Sequence, residues 1–257
     1  MSHDITEAVD WRGNAVDCEA CPHRDLKERG LCRPGHACVN DRYARRIDRF
    51  FNWNPALADS YLKHEHFEVR AIAAKHATVF LLPPLLDDPD EAVRWNAARR
   101  LPVRLIMKLR HDPHREVRIR VVTLLEDRDL VAMMDDPDYY VRLVICRKID
   151  RNLLLKMVHD EETEVRRVVA ARLPQQWLTR MADDDEAVVR LEVARRLPPD
   201  ALHLMKNDPD WRVRYEVASR VDVAEVAGLS DDEDSLVREI VLARLTDESA
   251  RVTDISR

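Results

Sequence analysis

Glycine is scarce in this chain: there are four in 257 residues, and three of them (Gly13, Gly30 and Gly35) lie near the start. A loop that cradles phosphate needs closely spaced glycines ahead of a helix, and Gly228, alone in the rest of the chain, cannot supply one. Nucleotide-dependent chemistry is therefore not expected. No Ser-His-Asp set or carboxylate pair stands out either, so the chain reads as a binding protein and not an enzyme. Long apolar runs are missing as well. No stretch approaches the roughly 20 apolar residues of a membrane span, and the opening MSHDITEAVD has no apolar core of the secretory kind. Without such segments the expected location is the cytoplasm, with no membrane partner.

Excess charge of one sign is lacking too. The formal net charge is −6, with 42 basic and 48 acidic residues, so bulk electrostatics do not favour nucleic acid. Cysteines are few and odd in number: there are five, which in a reducing compartment argues for metal binding over disulfides.

What is present is a repeat. A Val-Arg pair recurs every 24 residues: Val69-Arg70, Val93-Arg94, Val117-Arg118, Val141-Arg142, Val165-Arg166, Val189-Arg190, Val213-Arg214 and Val237-Arg238. A fixed period of this length marks a stacked array, in which each unit buries its apolar face only against its neighbours. Positions are numbered below from each valine. Asp stands at −5 in seven of the eight units, with His64 as the exception, and proline follows it in four. Asp-Pro at this point predicts an N-cap and a first-turn proline. Apolar residues at 0, +4, +5 and +8, as in Val165, Val169, Ala170 and Leu173, form an inward helical stripe. Leu-Pro pairs such as Leu173-Pro174 end the helix, giving about three and a half turns. The remaining segment carries apolar residues at −11 and −8, for example Leu178 and Met181. It is too short for a second full helix, and its spacing of three predicts a 3₁₀ turn.

Two arginine columns need separate accounts. The +1 arginines, Arg70 to Arg238, are expected to pair with the −5 aspartates in a ladder between neighbouring units. The +7 set, Arg100, Arg172, Arg196, Arg220 and Arg244, is the better candidate for an exposed basic strip. Such a strip would serve an acidic protein partner or, less favoured, nucleic acid. Cys146 falls at a +5 position otherwise held by small or apolar residues and is read as core.

Outside the repeat register lie Cys18-x2-Cys21-x10-Cys32-x5-Cys38, in a segment broken by Pro22, Gly30, Pro34 and Gly35. Four thiolates suit a tetrahedral zinc or a four-iron cluster. The long Cys32-Cys38 hook leans toward the larger core without deciding between them. His23 and His36 are expected to be loop or supporting residues. Next come Arg42, Arg45, Arg46 and Arg49 on one helical face; the first 50 residues hold nine basic and nine acidic side chains, so these arginines are expected to pair structurally. Phe50, Phe51 and Trp53 are expected to be buried at a seam where residues 1–50 cap a repeat array over 51–257, whose repeats run over 57–248.

The D-P-x-x-x-V-R signature on a period of 24 residues, joined to a four-cysteine N-terminal segment, resembles the leucine-rich repeat variant family of bacteria over roughly residues 18–248. The resemblance implies an all-α fold, with α- and 3₁₀-helices alternating in a right-handed superhelical solenoid. It also implies a [4Fe-4S] cluster on Cys18, Cys21, Cys32 and Cys38, and products of the kind found among nitrogen-fixation genes. The function expected is a protein-binding scaffold with a redox-active or oxygen-sensing cluster. A zinc-capped interaction module is the alternative.

Overall fold

The computed structural model describes residues 7–255, with side chains through residue 248. Residues 1–6, part of the N-terminal stretch noted above, lie outside the described residues. The chain divides into two compact units, Met1–Leu125 and Glu126–Arg257. No strand occurs among the described residues, only the isolated bridges Val9–Ala15 and Arg33–Ala37. Among the described residues no helix is long and apolar enough to cross a membrane.

The first unit holds the cysteine-rich segment together with three repeat helices, Phe67–His76, Glu91–Ala98 and Arg115–Leu124. The helix Ala44–Trp53 lies between them and packs on Phe67–His76. Phe50 and Phe51 are fully buried at this seam, as expected, but Trp53 is 38% exposed, its ring tilted against that of His36. Trp53 lies on the outer side of its helix, so it is not part of the buried knot. The second unit contains Tyr139–Lys148, Thr163–Arg172, Ala187–Arg196, Trp211–Arg220 and the longer Ser235–Ile255.

Within each unit the apolar registers behave as their spacing predicts. The valines at 0 are all buried, as are Leu82, Ile106, Leu130, Leu154, Leu178, Leu202 and Val226 at −11. The segments between helices are 3₁₀, as in Arg151–Met157, Gln175–Met181 and Pro199–Met205, with a short α-turn first in others. Side chains three apart eclipse in a 3₁₀ turn, so one row of Leu and Met can face the helices.

The helix starts differ from expectation. The helices begin at −2 and run about ten residues, three turns and not three and a half. The −5 aspartate is not the N-cap. Its Oδ1 instead accepts the backbone N–H at −3, over 2.8–3.0 Å from Asp88 through Asp232. This is an Asx turn that aims the chain into the helix. The cap falls at −3, where Asp90, Asp138 and Asp210 accept the N–H two residues on.

The same carboxylate serves the ladder as well, its Oδ1 accepting from the turn and from an arginine at once, as at Asp88. Arg70, Arg94, Arg142, Arg166, Arg190 and Arg214 each grip the aspartate of the following repeat with two parallel bonds: Asp88, Asp112, Asp160, Asp184, Asp208 and Asp232 respectively. Nη1 of the same guanidinium donates back to the carbonyl at −5 of its own repeat, as from Arg94 to Asp88 O (2.8 Å). One planar fork thus ties its own turn to its neighbour's, a geometry a lysine could not match.

Candidate metal centre

The site is built by turns. A short helix, Arg24–Glu28, follows Cys21, and Gly30 then adopts φ +72°, a left-handed position that lets the chain reverse toward Cys32. Gly35, at φ +70°, turns the chain again between Arg33 and Ala37, whose backbones exchange two 2.8 Å bonds. Cys38 follows directly. Cys32 and Cys38 are buried, Cys18 and Cys21 half-buried, and none of the four forms a disulfide.

The structure brings the four sulfurs into one neighbourhood. Cys32 and Cys38 share a hydrogen bond, which holds the Cys32 thiol below its ordinary range and pushes Cys38 up. Burial pushes the Cys18 thiol up, and the charges of Cys21 and Cys38 add to that rise. The Lys27 ammonium acts in the opposite sense on both Cys18 and Cys32. Asn40 donates its side-chain amide to Cys21 Sγ (3.6 Å), and the Asn40 backbone tempers the rise at Cys38. Among the described residues, no three His, Cys, Asp or Glu side chains come together as ligands of a metal ion. Neighbouring thiols with an amide donor and a nearby ammonium fit an iron–sulfur core, which needs thiolate charge to be tolerated at several separate points.

The surroundings are structural. Asp41, fully buried, pairs with Arg46 at 2.9 Å and accepts the Tyr43 backbone N–H at 3.0 Å. Arg49 donates to the His36 carbonyl (3.2 Å). Asp48 is met by Lys75 of the first repeat helix (3.1 Å) and not by an arginine of its own helix. His23 hydrogen-bonds the Tyr61 hydroxyl. Tyr61 occupies the −8 register, where the later repeats carry Leu or Met. Burial pushes its phenol up to about 12. A polar residue in an otherwise apolar column was the signal, unread in the sequence, that the first repeat faces the cysteine segment.

The +7 arginines are placed otherwise than expected. Arg100 donates to the carbonyls of Ala74 and Ala77, Arg172 to those of Cys146 and Ile149, and Arg196 to that of Ala170. Arg220 reaches Ala194 and Leu197, and Arg244 reaches Ala218 and Val221. Each closes the last turn of the preceding repeat helix, whose final carbonyls have no intrahelical partner. They are C-terminal caps and not a free basic strip. Cys146 is fully buried, against Met157 (3.3 Å between sulfurs) and remote from any ligand role.

A second feature of the first unit escaped the sequence reading. Leu62, Phe80, Leu81, Pro84 and Leu85 line a cleft of about 690 Å³. Phe80 is 86% exposed. At the same register, −13, the other units carry Ala56, Arg104, Arg128, Asn152, Gln176, Asp200 and Ala224.

Residues 8–60 match the family described as "LRV protein FeS4 cluster". A solved structure, "A leucine-rich repeat variant with a novel repetitive protein structural motif", is similar over 89% of this chain and 98% of its own, with 40% identity and a TM-score of 0.80. An "Uncharacterized 27.7 kDa protein in nifB 3'region" of Rhodobacter capsulatus is 55% identical over 96 residues, 37% of this chain. The chain spans 39% of the length of that curated relative.

Proposed function

Since the chain belongs to the leucine-rich repeat variant family and carries that family's iron–sulfur segment, we propose that it is a protein-binding scaffold with a [4Fe-4S] cluster held by Cys18, Cys21, Cys32 and Cys38. Bound there, such a cluster supplies one-electron redox chemistry or oxygen sensitivity. The chain's own residues give it four thiolates, an amide donor at Cys21 and a seat packed against the first repeat helix. The observation that carries the reading is the grouping of four cysteines free of disulfides, with an amide donor at Cys21 Sγ, in the segment that matches the FeS4 cluster family. The seam supports a signalling role. The salt bridges Lys75–Asp48 and Arg12–Glu65 and the buried Phe51 link the cluster segment to the repeat helices, so a change in the cluster would be felt by the array. The exposed Phe80 cleft supports protein docking, because a large exposed aromatic has no packing role.

The test is iron and acid-labile sulfide content of the anaerobically purified chain. About four of each, with a visible band that bleaches on reduction, is the expected result. One zinc per chain with no sulfide would overturn the cluster and leave a structural cap.

A further inference from the structure

Asn40 sits two residues beyond Cys38 and is half-buried. Its neighbours fix its backbone. Asp41 is fully buried and ion-paired to Arg46, and Arg46 is anchored further by a 3.0 Å bond to the Glu7 carbonyl. The Asp41 N–H turns back toward the Cys38 carbonyl (3.4 Å). The Cys38–Asp41 turn is therefore anchored on both flanks, and the Asn40 side-chain amide reaches Cys21 Sγ.

We propose that Asn40 is a positioning residue for the cluster. Its side-chain amide donates to Cys21 Sγ at 3.6 Å, so this one residue stabilises charge directly on a ligand. This rests on the cluster reading above and goes beyond it by naming what tunes the group. An N–H···S bond draws charge from the sulfur, and hydrogen bonds to the sulfurs are among the terms that set cluster potentials. The reduced state carries one more negative charge than the oxidised state, so it gains more from the amide donor. Removing the amide weakens the reduced state selectively. Lys27, an exposed side chain, contributes a diffuse attraction that solvent screens, whereas the Asn40 amide is directional.

The experiment uses the full chain, purified anaerobically, as wild type, Asn40→Leu and Asn40→Gln. Midpoint potentials are read by EPR-monitored titration, and Fe–S(Cys) stretches by resonance Raman in H₂O and D₂O. Asn40→Leu is expected to shift the reduction equilibrium about tenfold toward the oxidised form, ~59 mV lower for a one-electron couple. Asn40→Gln, which keeps the amide, is expected to recover part of the shift. The wild type should show deuterium-sensitive Fe–S bands that weaken in Asn40→Leu. Full iron and sulfide in Asn40→Leu with an unchanged midpoint would overturn the proposal. Should Asn40→Leu not retain its cluster, the wild type still decides: Fe–S bands that do not respond to deuterium would rule out the N–H···S bond. A wild type that carries zinc and no sulfide defeats the cluster reading itself, and metal content tells that failure apart before any potential is measured.

Discussion

Arg142 and Asp160 belong to successive repeats and meet through two parallel bonds, Nε–Oδ2 at 2.8 Å and Nη2–Oδ1 at 2.9 Å, with both side chains almost wholly removed from water. Asp160 simultaneously accepts the Glu162 backbone N–H at 2.9 Å, and Arg142 donates to the Asp136 carbonyl at 2.8 Å. One pair therefore sets a turn, starts a helix and joins two repeats. Charge buried on this scale is tolerated only because each donor and acceptor has a partner.

Breaking one side of the pair should be costly. Arg142→Met leaves Asp160 buried without its fork, and a loss of about 3–5 kcal/mol is expected by the usual cost of an orphaned buried charge. Asp160→Asn in the Arg142→Met background should recover part of it, since the stranded charge is gone while the Asx turn keeps its acceptor. Urea unfolding monitored by circular dichroism measures both. A single-variant loss below about 1 kcal/mol would place the pair with ordinary surface salt bridges.

The same ladder gives a pH dependence at Asp232. The Arg214 fork holds the Asp232 carboxyl below its ordinary range. A carboxylate depressed in the folded state contributes stability above its unfolded value of about 3.9, and the contribution is lost as pH falls through the folded value. The stability gap between wild type and Asp232→Asn should be full at neutral pH and shrink on acidification below about pH 4. Urea midpoints measured from neutral to strongly acidic solution test this. A gap that widens on acidification would contradict the sign.

Arg172 should act as a cap. Its guanidinium donates to the carbonyls of Cys146 and Ile149, which the helix Tyr139–Lys148 and its end leave open. Arg172→Ala is expected to cost about 1–2 kcal/mol, at the lower end for a charged hydrogen bond because the side chain is only part-buried. Exchange of amides in the last turn of that helix should speed up more than exchange in the helix Trp211–Arg220. Hydrogen–deuterium exchange would show equal effects in both if the arginine merely contributed to a general field.

Much of this was legible in the sequence, and the reason it was not all legible is geometric. Periodicity fixes which residues share a register, so the buried valines, the 3₁₀ row and the Arg–Asp ladder could be read directly. It does not fix the offset between neighbouring repeats. The +7 arginines look exposed on their own helix, and only the neighbour's last carbonyls give them a use. A sequence clue did exist: Arg172 and Arg196 each stand just before Leu-Pro, at helix ends where carbonyls lack partners. The −5 aspartate was mistaken for a cap because Asp-Pro is a helix-start signal whose register is uncertain by a residue or two. At the metal centre the four cysteines stood out by spacing, while Asn40 did not, since one amide in a turn has no pattern to betray it.

Cys146 separates core from ligand among the five thiols. Burial pushes its thiol up to about 12, and the side chain is fully enclosed. In native iron-free protein, an alkylating reagent should reach the half-buried Cys18 and Cys21 first and leave Cys146 untouched until the chain unfolds. Cys146→Ala should leave bound iron unchanged, whereas Cys38→Ser should lower it. Mass spectrometry of alkylated peptides and iron analysis give both answers. Loss of iron in Cys146→Ala would mean that the site had been assigned to the wrong sulfurs.

Phe80 offers a final contrast, with its close neighbour Leu82. Leu82 is fully buried in the −11 column, so Leu82→Ala should cost about 2–5 kcal/mol through lost burial and the cavity left behind. Phe80, two residues earlier and 86% exposed, touches little that folding needs. Phe80→Ser should stay within about 0.5 kcal/mol of wild type and improve solubility at high concentration, which light scattering would register. An aromatic that folding does not require, on a register where the other repeats carry polar residues or alanine, is better explained by something outside the chain than by the fold. A loss above about 1 kcal/mol in Phe80→Ser would return the residue to the fold and remove the cleft's claim to docking.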